Sequence, residues 1–364
     1  MTHRERFIRT MTGQEVDRVP FIKVFGGDNA HRPEWDNEYP GIGKCIDELL
    51  RFEGPYRGWQ IAPVNMDSSG RGEPTTSQRP DGLMVHKWED GTVRIYAPGK
   101  DFHYQTVEWP VKDRDSWIRV RDTQLDPDDP SRFYANWADF VVESGNRDYP
   151  IQLTHRGVYG FARNLMGDEA LSYMFYDDPE LVHEMMDYYT DFALKLFERQ
   201  CAEVEFDLIE FWEDMASKNG SLISPATFRE FMKPQYQKVA KFAEEHGIRI
   251  LLVDSDGFIE GLTELMLEAG VTALYPYEVQ AGNDCFNMLD TYPQLGIIGG
   301  LNKNVMASGK DAIDLEMIKA RALIRKGRFI PGPDHFVLSD VTFANYRYFM
   351  ESLREVVMTT KPGS

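Results

Sequence analysis

An apolar run at RILLVDSDG ends in two aspartates spaced two residues apart, Asp254 and Asp256. In extended backbone, residues i and i+2 share a face, so the two carboxylates are expected side by side. Such a pair repels, and the repulsion is relieved by a cation, by a shared proton, or by N–H groups at the start of the next helix. Under the last reading, Asp256 or Ser255 simply caps a helix beginning near Phe258. Under the first, His335 in PGPDH is the third ligand of a metal held by Asp254 and Asp256.

Other polar groups also close apolar runs. In Glu213-Asp214, Glu213 is expected to face inward as an acid or optional ligand and Asp214 to face the loop. Equally, one of them pairs with Lys218 or caps the turn before Ser224-Pro225. His155, Arg156, Lys23, Arg32, Tyr277 and Lys303 are candidates for orienting a substrate, Arg156 through its fork of donors or, alternatively, as the partner of Asp214. Asp28 and His31 share the loop of Arg32, and Trp35, Tyr159 and Tyr277 are candidate pocket walls or ordinary packing.

These positions need a scaffold that gathers strand ends. Short apolar runs at 150–154, 207–212, 249–253, 271–275, 296–299 and 328–330 read as strands buried on both faces. Amphipathic helical patterns at 179–204, 225–246, 257–269, 285–292, 311–325 and 340–356 alternate with them, with Pro179 suited to a first turn and Pro234 expected to break or kink its helix. Runs at 19–25 and, more weakly, 59–64 bring the count to about eight, which predicts an α/β fold closed as a (β/α)8 TIM barrel with its site at the strand C-termini. Residues 66–120 interrupt the alternation with an inserted β-excursion, a hairpin turning at Asp90-Gly91. A single domain over 1–364 is expected.

The formal charge of −19, from 40 Lys+Arg against 59 Asp+Glu, argues against a nucleic-acid partner. No apolar run is long enough for a membrane span and no secretory signal is visible, so a cytoplasmic protein is expected. Cys45, Cys201 and Cys285 form no CxxC pair, which disfavours a disulfide framework and a thiolate zinc knuckle. The glycines of GIIGGLNK (296–303) lack the spacing of a phosphate loop or dinucleotide fingerprint, so no ATP or NAD site is expected.

The segments DRVPF (17–21), FWEDMASKNGSLISPATFREFMKPQY (211–236), VDSDG (253–257), GGLNKNVMASGK (299–310) and IPGPDHFVLSDVTFANY (330–346) together resemble the uroporphyrinogen decarboxylase superfamily from about residue 6 to residue 355. The resemblance implies a (β/α)8 barrel and either of two chemistries: porphyrinogen decarboxylation, or methyl transfer to or from corrinoid proteins or coenzyme M, usually with zinc. The loop KVFGGDNAHRPEW has few basic groups for a substrate with eight carboxylates. The His-X-Cys and later Cys of the thiol-activating branch are replaced by Asp254-X-Asp256 and His335. Oxygen-rich ligation points to a harder Lewis acid that polarises an ether oxygen. The resemblance thus implies Zn2+ on Asp254, Asp256 and His335, a small methoxylated, preferably aromatic substrate, and a separate corrinoid (cobalamin) protein as methyl acceptor. The alternative is a metal-free carboxy-lyase with a strand-end Asp as acid/base. A homodimer is left open.

Overall fold

The computed structural model describes residues 1–25, 32–97 and 104–363. Asp28 and His31 fall outside them.

A curled parallel sheet of seven strands forms the frame: β1 (Gln60–Ile61), β6 (Ile151–His155), β7 (Leu208–Trp212), β10 (Ile250–Asp254), β11 (Ala273–Tyr275), β12 (Gly296–Leu301) and β13 (Phe329–Pro333), adjacent in that order. Between β1 and β6, strands β2 (Thr75–Gln78), β3 (Met84–Lys87), β4 (Val93–Tyr96) and β5 (Tyr104–Glu108) make an antiparallel sheet, with Asp90-Gly91 between β3 and β4. A two-strand ribbon, β8 (Ala216–Ser217) and β9 (Gly220–Ser221), follows β7.

The parallel strands from β6 to β13 are buried on both faces, and the period of two sorts their side chains. Leu208, Ile250, Leu252, Tyr275, Ile298 and Ile330 meet on the inner face with Phe7, Val24 and Trp59. Ile209, Phe211, Leu251, Val253 and Ile297 pack outward against the helices. Helix Pro179–Cys201 begins where its sequence asks, with Pro179 in the first turn and the Asp178 carboxylate accepting the Leu181 N–H. Around Pro234, which lacks an N–H, the chain forms a π-helical turn at Phe228–Met232 and then continues as helix Lys233–Glu245.

One expected strand does not form. Residues 19–25 are buried and alternate like a strand, Ile22 and Val24 inward and Val19 and Phe21 outward, yet they join no ladder. Pro20, Pro331 and Pro333 remove N–H donors where this segment approaches β13 at Gly332. Its polar groups are met otherwise: Phe21 exchanges bonds with Glu53, whose N–H donates to the Phe21 carbonyl at 2.8 Å, and Tyr275 Oη donates to the Val24 carbonyl at 2.9 Å.

Candidate active site

The carboxylates converge where β7 and β10 end. Asp254 is paired in register with Trp212 on one side and Tyr275 on the other. Beyond Trp212 the chain bends, with Asp214 at φ 44°, a left-handed conformation that short polar side chains tolerate. Carboxylate oxygens of Asp214, Asp254 and Asp256 lie within 4.8 Å of one another. From the loop after β13, His335 Nε2 comes to 3.0 Å from Asp256 Oδ2.

Electrostatically the cluster is short of positive charge. Burial pushes the Asp254 carboxyl well above its usual range; Arg57 draws it down, while Glu210, Asp214 and Asp256 push it further up. Asp214 is also raised, by burial and by Asp256, against Arg163, which donates to the Asp214 backbone carbonyl at 2.9 Å. Three carboxylates with an adjacent imidazole and too few cations form a donor set suited to a divalent ion, of either the zinc or the harder oxygen-preferring type. Asp214, Asp254 and Asp256 would hold it, with His335 as a nitrogen donor or as the hydrogen-bond partner orienting Asp256.

Helix capping does not account for these aspartates. Helix Glu260–Glu268 starts without a side-chain cap, the Ser255 hydroxyl accepts the Met215 N–H at 3.1 Å, and the Ile259 N–H goes to Asn283.

Beside the cluster is a cavity of about 310 Å3 whose wall includes Asp254, Arg57, Glu210, Arg156, Trp212 and Tyr134. Arg57 Nη1 spans Glu210 Oε1 at 3.1 Å and Asp254 Oδ2 at 3.3 Å, and its guanidinium lies 5.0 Å from the Tyr275 ring centroid. Glu210 also accepts from Gln152, whose amide oxygen accepts the Trp59 indole N–H at 2.5 Å. Arg156 pairs with Asp67 at 2.6 Å rather than with Asp214, and its guanidinium sits 5.6 Å from the Trp212 ring centroid. Lys303 pairs with Glu278 at 3.2 Å, and Glu278 in turn accepts the Gly257 N–H beside Asp256.

Several candidates lie elsewhere. Glu213 and Asp214 have the reverse of the expected parity, because β7 turns Glu210 and Trp212 to the cavity and so sends Glu213 outward. There it is fully buried, and its carboxylate accepts from Val158 N–H (2.8 Å), Gly160 N–H (2.9 Å) and Tyr236 Oη (2.5 Å). This packing requires Gly157, where a Cβ would collide with Trp212 and Glu213. His155 likewise points outward, between Tyr189 and Phe211; neither ring nitrogen has a hydrogen-bond partner among the described residues, and burial lowers its pKa to about 3. Lys23 is tied to Asp47 at 2.6 Å. The Tyr277 hydroxyl donates to Glu260 at 3.2 Å, and the buried Nε of Arg32 has no partner among the described residues. Trp35 and Tyr159 are buried, bonded to the Val341 carbonyl and to Asp168.

Residues 107–356 match the family model described as uroporphyrinogen decarboxylase (URO-D), more than half of the chain. The chain belongs to the uroporphyrinogen decarboxylase family. Within that family it is similar to a methylated-thiol–coenzyme M methyltransferase of Methanosarcina mazei, 29% identical over 205 residues, 53% of this chain and 50% of the relative. The chain thus spans about half the length of that curated relative. A solved methyltransferase from Methanosarcina mazei shares the fold across 98% of both chains, with a TM-score of 0.62 at 16% identity. No helix among the described residues is long and apolar enough to cross a membrane.

Proposed function

We propose that this protein is a metal-assisted methyltransferase that demethylates a small methoxylated, aromatic substrate and passes the methyl group to a separate corrinoid protein. The observation that carries this reading is the Asp214–Asp254–Asp256 cluster with His335, opening beside a partly open pocket of about 310 Å3. That volume lies near the lower end of small-molecule pockets and is too small to enclose a tetrapyrrole. The methyltransferase relative supports methyl transfer as the reaction class.

In the overall reaction the methyl–oxygen bond breaks with its electron pair left on oxygen, the corrinoid's reduced cobalt supplies the pair for the new cobalt–carbon bond, and the oxygen takes a proton. When bound, a Zn2+ or similar cation supplies Lewis acidity toward the ether oxygen. The chain's own residues position and exclude water. Trp212 and Tyr134 offer flat apolar walls, Arg57 fixes one oxygen of Asp254, and Arg156, balanced by Asp67, adds donors without excess charge. Metal-stripped and zinc-loaded protein should be compared on a methoxybenzoate panel with free cob(I)alamin, following methylcobalamin formation. No turnover with zinc present, on any substrate, would sink the proposal.

A second reading is favoured by the raised Asp254 carboxyl. With burial favouring its protonated form, it is placed to deliver a proton in a metal-free carboxy-lyase reaction. Carbon dioxide release that persists under chelation would select it.

A further inference from the structure

At the opposite pole from the carboxylates, under the N-terminal ends of β6, β7 and β10, lies a cavity of about 380 Å3 lined by Arg4, Arg9, Arg147 and Arg249, with Thr2 and Glu5. Four arginines converging on one space run against a chain of net charge −19. They come from separate segments: Arg4 and Arg9 from helix His3–Met11, Arg147 from the turn before β6, and Arg249 from the position before β10.

The local ion pairs do not use up this charge. Asp207 serves two guanidiniums at once, Arg4 at 2.8 Å and Arg147 at 3.2 Å, while also accepting the Ile151 N–H at 2.9 Å. Glu5 faces Arg9 at 2.7 Å, and Glu205, 74% exposed, reaches Arg4 at 3.2 Å. Arg249 has no ion pair among the described residues. The Arg147 side chain is only 4% exposed; its Nη atoms donate to the Ser144 carbonyl at 2.8 Å and the Glu205 carbonyl at 2.5 Å, neutral acceptors that leave its charge uncancelled, and its Nε has no hydrogen-bond partner among the described residues. Among the described residues, three carboxylates therefore face four guanidiniums, and Arg249 is the one left without an ion pair.

We propose that this cavity binds a small oxyanion carrying a phosphoryl group. Such a ligand supplies the missing negative charge, and its oxygens accept from the accessible guanidiniums of Arg9 and Arg249, with Arg147 adding its charge from beneath. Its position at the roots of the strands whose tips carry Arg156, Glu210 and Asp254 makes it separate from the candidate active site.

The test is thermal unfolding of the full chain in inorganic phosphate, pyrophosphate or glycerol 3-phosphate, against chloride at matched ionic strength. A saturable rise in Tm with at least one of the three is expected, since a ligand that binds only the folded state stabilises it. Arg249→Gln and Arg9→Gln, both at accessible positions, should weaken the apparent affinity at least tenfold, whereas Arg156→Gln should leave it within twofold. No rise beyond chloride with any of the three anions overturns the proposal. So does a rise that survives both Arg249→Gln and Arg9→Gln, or one that Arg156→Gln abolishes, which would place the anion at the other pole.

Discussion

His335 Nε2 and Asp256 Oδ2 meet at 3.0 Å although 79 residues separate them in the chain. The contact joins the ends of β10 and β13, and Pro331 and Pro333 stiffen the approach to His335. His335 adds a nitrogen to a patch otherwise built from oxygens. Replacing Asp214, Asp254 or Asp256 singly by Asn should lower Zn2+ affinity at least tenfold, and His335→Ala should lower it by a smaller factor. Calorimetric titration of metal-stripped protein measures both; unchanged binding in Asp214→Asn and Asp254→Asn alike would show that the cluster is not a metal site.

The same carboxylates should burden the metal-free fold. Asp254 is buried among Glu210, Asp214 and Asp256, with Arg57 as its close cation. Replacing its carboxyl by an amide removes the penalty of burying an acid among like groups at the expense of a ligand, the usual opposition between stability and function. In the presence of chelator, Asp254→Asn is expected to be more stable than the parent by about 1 kcal/mol. Urea midpoints at neutral pH report this, and a variant less stable than the parent would contradict it.

Glu213 should behave in the opposite way. Truncation to Ala strands the Val158 and Gly160 N–H groups and the Tyr236 hydroxyl in a dry environment. At roughly 1–3 kcal/mol for each unsatisfied buried group, the loss should be on the order of 3–5 kcal/mol. Glu213→Gln keeps an acceptor and should lose less. If Glu213→Ala unfolds at the parental midpoint yet abolishes turnover, the carboxylate is a chemical group and not an anchor.

How far the fold and site could be read in the sequence follows from what each signal measures. Buried parallel strands announce themselves as apolar runs, so β6, β7, β10, β11, β12 and β13 are legible to within a few residues. Whether 19–25 joins the ladder depends on donors lost at Pro331 and Pro333, three hundred residues away, and no local pattern contains that. Asp254 and Asp256 stand out by spacing. The facing of Glu213 and Asp214 turns on a one-residue parity set by Glu210 and Trp212, which face the cavity, and a strand end placed only to within a residue or two does not fix it. Arg57 sits in a short loop with no periodicity to mark it. Glu210 did carry a signal: a charged residue inside LIEFW, where a buried strand tolerates one only with a partner.

The pH dependence of stability at the other pole can be derived from Glu53. Burial pushes its carboxyl up, but His3, at 3.6 Å, and Arg18, which pairs with it directly, outweigh that and hold it at about 2, below its ordinary 4.5. The folded state therefore binds this proton less readily than the unfolded chain does. Stability contributed by Glu53 is complete above about pH 4.5 and is lost as the pH falls toward about 2. Glu53→Gln should accordingly be less stable than the parent at pH 7. Its deficit should narrow as both proteins are taken to pH 3, where the unfolded parent is already largely protonated at this position. Parallel urea titrations at the two pH values measure the deficit directly. A deficit of equal size at both would assign Glu53 a role in packing and hydrogen-bonding to Phe21 rather than in charge pairing.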